Sequence, residues 1–197
     1  MTTTQTLIFD RFRDLLSQAG VAGDPEPTAM TLASASPDGR ISARTVLLKA
    51  LDCDGFVFYT NTQSNKGRQL DANPNAALNF LWKTLANQVQ VKVEGRVEAV
   101  SSADADSYFA SRNRLSQLGA WASQQSQTLN SRQELLDRLA ALELQYAGQP
   151  VPRPAHWSGF RVLPDMIEFW FGEPGRLHVR ERFELINGEW QLRLLNP

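Results

Sequence analysis

Residues 87–100 read NQVQVKVEGRVEAV, and this stretch decides the fold. Val89, Val91, Val93 and Val97 are separated by Gln90, Lys92, Glu94 and Arg96, so apolar and polar side chains alternate along most of it. A period of two belongs to a strand with one face in a core and the other toward solvent. Upstream lie shorter runs of the same texture, TAMTLASAS, SARTVLLKA, GFVFYTN and AALNFLW, divided by the turn signals PDG, DCDG and NPN. Downstream come GFRVLP, MIEFWF, RLHVRERFEL and EWQLRLL, the last two joined by Asn187-Gly188, a strong hairpin signal. Such a meander predicts an antiparallel sheet closing into a barrel with Greek-key-like connections.

Helices flank it. Leu7, Ile8, Phe12, Leu15, Leu16 and Ala19 recur at helical spacing before Gly20 and Gly23, predicting an opening helix over residues 1–20 that packs on the core. Ser101 and Ser102 precede ADADSYFASR, while Ser131 and Glu134 form a capping box that opens RQELLDRLAALELQYAG. The Pro-rich QPVPRPAHW then breaks helix and returns the chain to strands. One α+β domain spanning residues 1–197 is the economical reading.

The chain has 197 residues, 42% of them hydrophobic, enough for a sizeable core without staples. Lys plus Arg number 20 against 21 Asp plus Glu, so no global basic field invites nucleic acid, and any anion site must be local. The single Cys53 can form neither an internal disulfide nor a multi-cysteine metal site, and with only His156 and His178 a metal centre is not expected. No segment has the apolar length of a membrane span or the pattern of a leader, so the expected compartment is the cytoplasm.

Several groupings could carry chemistry. Arg176, His178 and Arg180 would share one face if extended, a set of nitrogen donors suited to an anion or a polar planar ligand. Arg44 and Lys49 bracket RTVLLK, although residues five apart on a regular strand face opposite sides. Ser64, Lys66 and Arg68 stand near the start of an expected helix, where free N–H groups favour anions. No Walker or Rossmann glycine motif accompanies them. On a continuous helix Tyr108, Arg112 and Ser116 form a stripe at i, i+4 and i+8, a candidate phosphate clamp. Gln125 and Ser126 add an amide and a hydroxyl suited to a ring edge or phosphate.

Taken in order, RTVLLK, FYTN, SNKGRQ, NQVQV, YFASRNRLSQLGAW, SQQS, P-x-P-x-x-W-S-G-F, IEFW, RLHVR and the terminal RLLNP resemble the pyridoxine (pyridoxamine) 5′-phosphate oxidase family of flavoproteins over residues 28–197. The resemblance implies an FMN-binding split β-barrel working as a homodimer, with flavin between subunits. It implies that Arg44 and Lys66 hold the FMN phosphate and that Tyr59, Thr60, Gln88, Gln125, Ser126, Trp170 and Arg180 complete the flavin site. Lys49, Tyr108, Arg112 and Ser116 would clamp a substrate phosphate, with Arg176 and His178 as the catalytic pair that positions the pyridine ring. The implied reaction is O2-dependent oxidation of pyridoxamine or pyridoxine 5′-phosphate to pyridoxal 5′-phosphate.

Departures from the family pattern stand at Asn65, where an arginine is usual, and at Ala86, Asn87, Phe171 and Val179; KVEGRVE is about two residues longer than usual, which predicts a bulge. No basic-aromatic lid segment is recognisable at the N-terminal end. These departures keep open a relative acting on reduced phenazine precursors, for which Phe171 would suit a larger, flatter substrate, and a non-catalytic flavin or pyridoxal phosphate carrier.

Overall fold

The structure, a computed structural model, describes residues 2–197. Strands β1 (Ala29–Ala35), β2 (Ile41–Leu47), β3 (Ala50–Leu51), β4 (Phe56–Asn61), β5 (Asn75–Trp82), β6 (Val89–Ala99), β7 (Trp157–Phe171), β8 (Val179–Ile186) and β9 (Glu189–Leu194) form one antiparallel sheet. The order is β2-β1-β5-β6-β7-β4-β3, with β8 and β9 branching from β7. The sheet curls: beyond β2, the Lys49 N–H donates to Val57 O at 2.8 Å, bringing that end of the path onto β4. The result is a split antiparallel barrel, as the alternation predicts.

β6 buries Val89, Val91, Val93 and Val97 in the core. β7 is where the sheet forks. GFRVLP and MIEFWF, expected as separate strands, are one strand of 15 residues. Its first half pairs with β4 and its second with β8, while β6 runs along its other edge. At the fork the register slips: Glu94 faces Met166 and Gly95 faces Pro164, leaving Asp165 unpaired. The bulge anticipated in KVEGRVE is therefore at that place, but the extra residue belongs to the partner strand. In the β8–β9 hairpin Asn187 and Gly188 both take positive φ, 52° and 84°, the twist a two-residue primed turn requires.

Helix α1 (Thr3–Val21) lays Ile8, Phe9, Phe12, Leu15 and Ala19 against the sheet. The Phe12 ring meets Phe56 and Phe80 edge-on at 5.0 and 4.9 Å, contacts that contribute about 0.5–1.5 kcal/mol each beyond burial. Leu7, expected in this stripe, is 65% exposed. Leu7 and Phe9 flank the stripe on opposite sides at about 100° per residue, and only the side of Phe9 and Leu16 faces the sheet.

α2 (Asn65–Ala72) follows β4, and α3 (Ser102–Ser111), α4 (Arg114–Ala122) and α5 (Arg132–Gln145) separate β6 from β7. Ser131 caps α5 as expected, accepting from the Glu134 N–H at 3.2 Å, but the Glu134 carboxylate turns to Asn130 and Arg138. Residues 102–122 are not one helix. Arg112 is extended at φ −71°, ψ 149°, and the Asn113 side chain caps a new helix by accepting from the Ser116 N–H at 2.8 Å. Among the described residues no helix is long and apolar enough to cross a membrane.

Candidate active site

β4 runs directly into the capped start of α2. Ser64 Oγ accepts from the Gly67 N–H at 3.3 Å, and Gly67 is a close-approach position: a Cβ there would lie 2.2 Å from Thr62 O. This turn aims Lys66 back at β4, where Nζ donates to Thr60 Oγ1 at 3.0 Å, Ser64 Oγ at 3.4 Å and Gln125 Oε1 at 2.8 Å. Arg44 reaches in from β2, donating to Ser34 Oγ at 2.6 Å, Leu32 O at 3.3 Å and Gln69 Oε1 at 3.2 Å. Every oxygen in these contacts is neutral. Burial, with the nearby Arg44 charge adding to it, pushes the Lys66 ammonium down to about 8. Burial also lowers Arg44, which as a guanidinium stays charged.

A second cation sits on aromatic rings. Tyr59 on β4 pairs in register with Gly159 on β7, whose missing side chain makes room: a Cβ would lie 2.7 Å from the Tyr59 ring. Tyr59 therefore stacks on Trp157 at 5.3 Å and on Tyr108 at 4.1 Å, nearly parallel to both. The Arg112 guanidinium lies over the Trp157 ring at 4.8 Å, a favourable cation–π position. Arg112 Nη1 is buried without a hydrogen-bond partner, and burial lowers the guanidinium's pKa. A buried donor left unpaired costs about 1–3 kcal/mol, which a bound acceptor would relieve.

Both groups open into one cavity of about 480 Å³. Lys49, Tyr59, Thr60, Lys66, Tyr108, Arg112, Ser116 and Gln125 all line it, as do Asn61, Ser123 and Trp157. Three of the lining residues are cations and none is a carboxylate, in a chain whose formal net charge is −1. Such a lining favours an anion. The break before Asn113 explains how Tyr108, Arg112 and Ser116 meet there without forming the expected stripe: they converge from two helices and the joint between them. Arg44 stands just behind the cavity, and Ser126 receives the Asn65 N–H at 3.2 Å beside it.

The remaining expected residues lie elsewhere in the protomer. Gln88, Trp170, Arg176, His178 and Arg180 do not line the cavity. Trp157 and Trp170 stand thirteen residues apart on β7, roughly 40 Å of extended strand. Nor do Arg176, His178 and Arg180 share an extended face. Pro174–Arg176 is a single 3-10 turn, with Gly175 and Arg176 both left-handed at φ 66° and 63°, and β8 begins only at Val179. The Pro-Gly pair in EPGR, a turn signal, is what overrides the alternation. The His178 ring lies tilted against Trp170, centroids 4.5 Å apart, and its Nδ1 accepts from the Glu173 N–H at 3.0 Å. Arg180 is held by the buried Glu168 at 2.8 Å. Gln88 has φ 30° in the turn leading into β6.

Sequence reasoning passed over three contributors. Trp157 was visible in the P-x-P-x-x-W-S-G-F pattern without a role, and is the surface on which Arg112 rests. Gln69, which closes the SNKGRQ pattern, was likewise visible without a role, and Ser34 carries no local signal; the two hold Arg44 together because β1 and α2 meet in the fold.

Residues 16–146 match the family model described as pyridoxamine 5′-phosphate oxidase, and residues 157–197 match the pyridoxine 5′-phosphate oxidase C-terminal dimerisation region. A pyridoxine/pyridoxamine 5′-phosphate oxidase of Myxococcus xanthus is 55% identical over 187 residues, covering 95% of this chain and 90% of the relative. One from a Synechocystis strain is 53% identical over 189 residues, covering 96% and 87%. The solved structure of PhzG from Burkholderia lata, in complex with tetrahydrophenazine-1-carboxylic acid, superposes with a TM-score of 0.90 at 31% identity, covering 96% of this chain and 92% of that one. With both halves of the sequence matched, and with close relatives aligned over nearly its whole length, the chain belongs to the pyridoxamine 5′-phosphate oxidase family.

Proposed function

We propose that this protein is an FMN-dependent oxidase that converts pyridoxamine or pyridoxine 5′-phosphate to pyridoxal 5′-phosphate as a homodimer. One observation carries the reading: a single cavity holds the unpaired Arg112 Nη1 beside Lys49, Tyr108 and Ser116, and contains no carboxylate. Two cations and two hydroxyl donors suit a dianionic phosphate far better than a neutral hydroxymethyl group.

The residues present also fit FMN. Lys66 and Arg44 face only neutral oxygens, and the depressed Lys66 ammonium gains from an anion that offsets its burial. They would hold the flavin phosphate, with Thr60, Gln125 and Ser126 around it and Tyr59 alongside. When bound, the flavin supplies a hydride acceptor for the substrate carbon that bears the amine or alcohol, with O2 as final electron acceptor. The protein's own contribution is placement. Anchoring the substrate phosphate at Arg112, Lys49, Tyr108 and Ser116 spends binding energy far from the reacting carbon and fixes its pose. Gln88, Trp170, Arg176, His178 and Arg180 would complete the site from the second subunit, and all of these but Gln88 stand in the region that matches a dimerisation model.

The likeness to PhzG supports a second reading, oxidation of a reduced phenazine precursor, in which the same cations would take a carboxylate. Relatives named for the vitamer reaction are considerably more similar in sequence than PhzG is, so the phosphate reading is preferred. Oxygen consumption by the FMN-loaded protein decides between them. Rapid turnover of pyridoxamine phosphate, with little of unphosphorylated pyridoxamine, is expected; rapid turnover of a reduced tricyclic acid with neither vitamer active would overturn the assignment.

A further inference from the structure

The placement described so far gives no task to the most thoroughly buried carboxylate of the fork. Glu168 is 1% exposed, two residues before Trp170 on β7. Its Oε1 accepts from Arg180 Nε at 2.9 Å, with Arg180 Nη2 in ion-pair contact at 2.8 Å. Its Oε2 accepts from Arg182 Nε at 3.1 Å and Nη2 at 2.8 Å, with Lys92 Nζ at 4.0 Å. Two guanidinium forks therefore grip one carboxylate from both sides. Burial pushes its pKa up, but hydrogen bonds from Arg182 and Arg180 outweigh that and hold it low. Stability is a poor account of such a group, since an apolar residue of similar volume commonly serves a sheet at least as well.

The partners around it are shared unevenly. Lys92 also approaches Glu94 at 3.9 Å, and Arg182 also approaches Glu184 at 3.6 Å. Among the described residues Glu168 is the one carboxylate that pairs with Arg180. The Arg180 Nη1 donates to Asn196 O at 3.0 Å, which leaves one N–H on Nη1 and one on Nη2 uncommitted. The free donors thus fall on the arginine that the flavin reading assigns to the cofactor.

We infer that Glu168 is a positioning residue: its buried carboxylate locks the Arg180 guanidinium in the one orientation that presents its two free N–H groups to FMN. The inference rests on the flavin reading above. It predicts that Glu168 acts on FMN through Arg180 and by no other route, which is a statement about coupling.

A double-mutant cycle measures that coupling. Apoprotein of the parent, Glu168→Gln, Arg180→Ala and the double variant is titrated with FMN, following flavin fluorescence, with thermal midpoints recorded in parallel. Glu168→Gln keeps the shape but loses the charge and one acceptor, and it should weaken FMN binding by about tenfold, the scale of losing a charged hydrogen bond. In the Arg180→Ala background the same change should cost less than about twofold. Glu168→Asp keeps the charge but withdraws it by one methylene; it should weaken FMN binding comparably, and it enters the same cycle if Glu168→Gln does not fold. FMN affinities equal to the parent's, or losses that multiply in the double variant, overturn the inference while leaving the flavin reading intact. A parent that binds no FMN overturns both.

Discussion

Lys66 carries a charge at a position where burial and Arg44 both oppose it, and the pH dependence of cofactor binding follows from that conflict. Its pKa falls from 10.5 to about 8, so above pH 8 the flavin-free protein progressively loses the proton that a phosphate dianion needs. FMN binding should take up a proton in this window, and affinity should weaken by up to about tenfold per pH unit beyond pH 8. Titrations from pH 7 to 9.5 in buffers of different ionisation enthalpy measure both effects. The stability effect has the opposite sign. Between about 8 and 10.5 the unfolded chain binds the proton more tightly, so the apoprotein gains stability as pH rises through that window. Arg112 gives a second residue-level test. Its unpaired Nη1 predicts that Arg112→Ala lowers kcat/KM for pyridoxamine phosphate at least about tenfold, because a charge-assisted hydrogen bond contributes about 1.5–3 kcal/mol. Unphosphorylated pyridoxamine should be barely affected; equal losses for both substrates would make Arg112 a structural residue.

Among the elements that carry the cations, α2 has little freedom in its placement. Gly67→Ala would drive a Cβ against the Thr62 carbonyl, a backbone group that cannot swing aside, and the helix start carrying Lys66 must shift to relieve it. A loss of about 1–3 kcal/mol in stability is expected, visible in denaturant melts, with weaker FMN binding in whatever folds. A variant as stable as the parent would show that the turn relaxes freely. The elements also show what the sequence could and could not convey. The meander was legible because alternation is local: Val89 to Val97 declare their face without reference to any partner. The α3–α4 break was harder to see, since Tyr108, Arg112 and Ser116 satisfy a helical spacing that Asn113, a good capping residue, interrupts. The Arg176–Arg180 segment failed for a similar reason: the Pro174-Gly175 turn is also local, but the charge pattern beside it imitates a strand. The contacts that hold the cations, Ser34 and Gln69 on Arg44 and Trp157 beneath Arg112, join residues distant in sequence, and no single-chain periodicity encodes them.

For the whole molecule, a net charge of −1 hides a cavity lined by three cations, so bulk composition and site chemistry point in different directions. Residues implied for one flavin site divide into two groups at opposite ends of β7. A two-fold dimer would reconcile them if its isologous interface set the far end of each subunit against the near end of the other. Gel filtration with light scattering should therefore give about twice the 22.0 kDa chain mass, with FMN bound to the dimer and not to dissociated monomer. Under that arrangement each subunit lends part of its site to the other. Arg112→Ala and Arg180→Ala should each cripple a homodimer, yet a dimer containing one of each carries one site with both lesions and one with neither. Two nearly inactive proteins, unfolded together and refolded at equal ratio, should then recover about a quarter of parental activity if chains pair at random. No recovery would mean that each subunit builds its site alone.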